Sequence, residues 1–115
     1  MATEIGHRVA DLADGIDSLG KTSFANQLRE VSYRISGILA EGSSCPTKPE
    51  FAVFVSHARG ATLEIANLII FFSERELISE EDESNLVNML KRESKMLDNF
   101  RQSLERAGKP DPVEA

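Results

Sequence analysis

Apolar residues recur every three or four positions over four long stretches of this chain, and no stretch alternates apolar with polar as a half-buried strand would. That period leaves little besides helices with one buried side. In the first stretch Ile5, Val9, Leu12, Ile16 and Leu19 carry it, and Gly20 follows as a C-terminal stop. In the second, Phe24, Leu28, Val31, Ile35 and Ile38 repeat it, with Thr22 or Ser23 as N-cap and Gly42 as the end. The third carries Phe51, Phe54, Val55, Ala58, Ile65, Leu68, Ile69 and Phe72, and the T-x-x-E box from Thr47 to Glu50 starts it. Ser79 caps the fourth, the acidic run after it suits a positive helix start, and Leu86, Leu90, Met96, Leu97, Phe100 and Leu104 mark its buried side.

The expected fold is all-α: an up-down-up-down antiparallel four-helix bundle over residues 1–108, with helices at about 3–19, 23–41, 48–76 and 80–107. Residues 109–115 read as a flexible acidic tail. The third and fourth helices are the longer pair, so they overhang the first two or are covered by something else.

The 115 residues suit one domain, and 19 acidic against 13 basic residues give a formal charge of −6. That balance opposes a general grip on nucleic acid or an anionic membrane. The single cysteine, Cys45, fits a reducing compartment. With no secretory h-region at the start and no apolar run of spanning length, the chain reads as soluble and cytoplasmic.

The third helix carries more apolar surface than one core needs. Opposite Phe51, Ala58 and Phe72 runs a second seam, Val53, His57, Gly60, Glu64, Asn67 and Phe71, stepping by four and three, with Leu63 and Ile70 beside it. The second helix has a matching seam at Asn26, Glu30, Tyr33, Gly37 and Ala40. A glycine inside a helix costs up to ~1 kcal/mol relative to alanine, and a close approach from another helix explains two of them. The seams therefore read as an oligomer interface centred on Gly60, with Glu64 expected to pair with Arg29, Arg34 or a neighbouring subunit. The bland reading makes Gly60 a tolerated surface glycine on a solvated face.

Catalytic and metal readings have little behind them. Glu4 and His7 form one E-x-x-H, but a di-iron bundle needs two such pairs and two more glutamates. His57 lacks an E-x-x-H partner, and Cys45 has no recognisable group to orient a base. "GSSCPTK" lacks the spacing of a phosphate loop, and Lys91, Arg92 and Lys95 are interrupted by Glu93. No cofactor, metal or enzyme activity is expected.

Two blocks carry a family resemblance. "QLREVSYRISGILAEG", residues 27–42, matches Q-L-R-R-A-x-x-S-I-P-x-N-I-A-E-G at Gln27, Leu28, Arg29, Ile35, Ala40, Glu41 and Gly42. "FAVFVSHARGATLEI" matches F-x-x-F-L-x-x-A-x-G-S-L-x-E-L at Phe51, Phe54, Ala58, Gly60 and Glu64. Together they resemble a bacterial four-helix-bundle family that includes proteins encoded in intervening sequences of large-subunit ribosomal RNA genes. The resemblance covers residues 5–107. Ser36 and Ile38 replace the block's Pro and Asn, so no role of that Asn carries over, and the first helix is short for the family. The resemblance implies a bundle that assembles into a ring, commonly of five subunits, without catalytic residues. The leading expectation is thus a non-enzymatic homo-oligomer that serves as an interaction or scaffold protein. The alternative is a nucleic-acid-binding accessory similar to the accessory protein of diversity-generating retroelements, using a local patch at Arg29, Arg34 or residues 91–95.

Overall fold

The computed structural model describes residues 2–108, with side chains from Ile5 onward, so residues 109–115 and the side chain of Glu4 lie outside the described part. Four helices follow in order: α1 (Ala2–Ser18), α2 (Thr22–Ser43), α3 (Lys48–Glu74) and α4 (Glu80–Ala107). They pack α1 on α2, α2 on α3, α3 on α4, and α4 lightly back on α1, which closes an all-α four-helix bundle.

Local chemistry sets most boundaries. After α1 the chain passes through Gly20 at φ 77°, with Gly20 N–H on Asp17 O at 2.8 Å and Lys21 N–H on Ile16 O at 3.3 Å. Those two bonds satisfy carbonyls the helix leaves orphaned, and the left-handed turn they need favours glycine. Neither Thr22 nor Ser23 caps α2: Lys21 stands at the cap without a side-chain bond, because this tight turn makes Thr22 the first helical residue. Thr47 and Ser79 do cap α3 and α4, accepting from Glu50 N at 3.3 Å and Asp82 N at 3.1 Å.

The end of α3 repeats the pattern of α1, with Glu76 N–H on Ser73 O and Leu77 N–H on Phe72 O, both at 2.9 Å. Here the left-handed position, φ 62°, is held by Glu76 rather than glycine, so α3 stops at Glu74. Glu76→Gly is therefore expected to stabilise the protein by about 0.5–1 kcal/mol, read as a higher urea midpoint. An unchanged or lower midpoint would show that Glu76 carries no conformational cost.

The core has two parts. In one, Ile5, Val9 and Ile16 of α1 meet Leu28 and Val31 of α2, Ile65, Ile69 and Phe72 of α3, and Leu90 of α4. In the other, Ala52, Val55 and Ala58 of α3 pack on Leu97 and Leu104 of α4 and on Ile35, Ile38 and Leu39 of α2, without α1. Length explains the difference: at ~1.5 Å per residue α1 reaches about 25 Å and α4 about 42 Å. The long pair does overhang, and the molecule is 60 Å along its main axis. Met96 and Phe100, expected in the core, are instead 50% and 42% exposed, because they lie beyond the helix that would have covered them. Leu19 is also exposed, since α1 ends before it. Small side chains fill places the apolar pattern did not mark: Ala13, Ala25, Ala52, Ala61, Ala66, Thr62 and Ser94 are all buried.

Candidate interaction surface

The antiparallel α2/α3 pair shows its register through two contacts. Arg34 of α2 reaches Glu64 of α3, Nη2 to Oε2, at 2.9 Å. Two turns further along α2, a β-carbon built on Gly42 would lie 2.6 Å from Phe54 Cβ and 2.8 Å from Phe51 Cδ1. Gly42 does not end α2, which runs on to Ser43; it is a buried residue of the last turn, and the missing side chain lets α3 come close. The first block's closing glycine and the second block's two phenylalanines are thus one contact. Ala58, also in the second block, is fully buried.

Other block residues face outward. Gln27 and Glu64 line one groove between α2 and α3, together with Glu30 and Arg34. Glu41 is exposed, and its carbonyl accepts from the Ser44 hydroxyl at 2.8 Å in the turn after α2. The expected Glu64 partner is Arg34; Arg29 instead bridges Asp14 at 2.7 Å and Asp17 at 2.5 Å, tying α2 to α1. On a half-exposed surface the Arg34–Glu64 pair is worth at most ~1 kcal/mol and mainly fixes register.

All six residues of the α3 seam, Val53, His57, Gly60, Glu64, Asn67 and Phe71, are exposed, as are Tyr33 and Gly37 of α2. Leu63 and Ile70 beside the seam are also more than a third exposed. Among the described residues, a β-carbon built on Gly60 or on Gly37 would meet nothing within 4 Å. Gly37 lies one turn from Arg34 and Gly60 one turn from Glu64, on the same side of that ion pair. The two glycines therefore stand at matching levels of the α2/α3 pair, with open space in front of both. Phe71 borders this face at one end, its ring 6.5 Å from Phe24 and with Arg75 Cζ 6.0 Å from its centroid. At the other end the His57 ring is 6.3 Å from Phe54.

Among the described residues no group of three or more His, Cys, Asp or Glu is placed to hold a metal, and no helix is long and apolar enough to cross a membrane. Arg29 and Arg34 are held by carboxylates, and so is Arg101, which binds Asp98 and Glu105; its hydrogen bonds hold the Asp98 carboxyl below the usual range. Lys91, Arg92 and Lys95 are exposed.

An all-α antiparallel bundle, with its two sequence blocks joined at Gly42 and a broad outer face on α2 and α3, defines the class of protein. More particularly, the family model described as 23S rRNA-intervening sequence protein matches residues 1–99, and the chain belongs to that family. No curated protein and no solved structure matches it.

Proposed function

We propose that this protein is a non-enzymatic interaction or scaffold protein that assembles with copies of itself through the outer α2/α3 face. The observation that carries the reading is the exposure of that whole face on the single chain. Tyr33 is 70%, Val53 54% and Phe71 46% exposed. Leu63, Ile70 and Phe71, which fall within nine residues of α3, are each more than a third exposed, and monomers seldom leave grouped apolar side chains to water. The paired glycines supply what a second helix needs for close approach, and apolar side chains beside them supply the buried area. His57, Asn67 and the Arg34-paired Glu64 suit register-setting contacts, since a carboxylate already held in an ion pair on an open surface is poorly placed for acid–base work. A closed ring, five copies in the version the family resemblance implies, would cover this face on every subunit. Light scattering on the eluting protein at micromolar concentration tests the reading. A mass several times the 12.7 kDa of the chain is expected, and a single 12.7 kDa species would overturn it.

The competing accessory role requires phosphate contacts. Arg29 and Arg34 are spent on carboxylates, and the free cluster at residues 91–95 is small against a charge of −6. Binding to RNA or DNA at physiological salt is expected to be weaker than the ~10⁻⁴–10⁻⁶ M typical of non-specific binders. A tight complex whose affinity falls steeply with salt would favour the accessory role instead.

A further inference from the structure

One long stretch of this acidic chain's surface is free of carboxylates. Asn88, Lys91, Arg92, Lys95, Asn99 and Arg106 recur at helical spacing along the outside of α4, and all are exposed. At ~1.5 Å per residue the strip is about 27 Å long. Three acidic residues fall in the same span of sequence, and each is taken up elsewhere. Glu93 turns inward, where it borders a cavity together with Ile5 and Leu90. Asp98 and Glu105 are both held by Arg101 on the flank of the helix. No ion pair engages Lys91, Arg92, Lys95 or Arg106 among the described residues. Along one edge of the strip lie Met96 and Phe100, 50% and 42% exposed.

The outer α2/α3 face carries the opposite charge around its glycines. Arg34 is spent on Glu64, which leaves Glu30 and Glu41 of α2 as exposed carboxylates on either side of Gly37. Glu30 and Glu41 stand eleven residues apart on one helix, and Lys95 and Arg106 stand eleven apart on another. Each spacing is about 16 Å. A basic ridge edged with apolar side chains therefore has the charge and the length to lie in the open space before Gly37 and Gly60. Nucleic acid would also attract the strip, but phosphates would leave Met96 and Phe100 in water.

We infer that the outer α2/α3 face is covered by α4 of a second copy, with the basic strip against Glu30 and Glu41 and with Met96 and Phe100 against the apolar side chains of the face. This rests on the reading of that face as the assembly surface. The contact joins two different surfaces of the same chain, so it is head-to-tail, and a row of copies keeps a free surface at each end until it closes into a ring.

The test reverses charge on each surface and then mixes the variants. One carries Lys95→Glu with Arg106→Glu, and the other carries Glu30→Lys with Glu41→Lys. All four positions are exposed, so both variants are expected to keep the wild-type helicity by circular dichroism. In sedimentation velocity at physiological salt, each alone is expected to associate at least tenfold more weakly than the wild type. An equimolar mixture is expected to recover the heavy species, because every contact again joins opposite charges. A mixture that stays at 12.7 kDa would overturn the proposal. So would a Lys95→Glu, Arg106→Glu variant that assembles as the wild type does, whether or not it has lost affinity for an RNA or DNA duplex. In that second case, dissociation of Gly60→Leu would leave the assembly reading standing without α4 as its partner. A wild type at 12.7 kDa would overturn both.

Discussion

Gly42→Leu is expected to destabilise the protein by about 3 kcal/mol, near the upper end of what overpacking usually costs. Even the first added carbon would stand 2.6 Å from Phe54 Cβ and 2.8 Å from Phe51 Cδ1. The Phe51 ring edge can turn aside. A β-carbon cannot, so relief at Phe54 has to come from moving α2 away from α3. That movement would loosen the part of the core formed without α1, where Ala52, Val55 and Ala58 already pack with small side chains. Restoring helix propensity returns only up to ~1 kcal/mol. Gly42→Ala should follow the same sign with a smaller loss. Urea unfolding of both variants checks this, and a raised midpoint in either would mean that the helices do not meet closely at Gly42.

Gly42 also shows what could be read from the chain beforehand. Helix number, the Gly20 stop and the Thr47 and Ser79 caps were legible because their causes lie within a few residues. The same local reading took Gly42 for a terminator and Gly60 for a close contact within or between chains. In the single chain Gly42 is the tight position and Gly60 is open. A glycine inside a helix announces that something needs room, but the neighbour supplying the need is distant in sequence. Met96 and Phe100 misled for a related reason, since their exposure follows from the length of α1. Thr62 and Ser94 are buried without an apolar signature, and Glu93 read as an interruption in a basic cluster rather than as part of a cavity wall. The outer seam itself was legible from its steps of three and four, and every one of its residues lies on the exposed face.

The second large effect is expected at Gly60. Because the space before it is empty in one chain, Gly60→Ala should stabilise an isolated subunit by up to ~1 kcal/mol through helix propensity. If another helix fills that space in the assembly, a bulky residue there keeps the two helices apart. Gly60→Leu is then expected to release folded subunits, with helicity retained and association lost. The opposite face of the account is equally definite: were the α2/α3 face simply solvated, both variants would be tolerated and nothing about association would change.

Sedimentation velocity of the wild type and Gly60→Leu side by side, at micromolar concentration, bears most directly on the assembly. The account predicts a wild-type species several times heavier than 12.7 kDa and a folded Gly60→Leu variant at or near 12.7 kDa. A wild type that sediments at 12.7 kDa, or a Gly60→Leu variant that assembles as the wild type does, would contradict it.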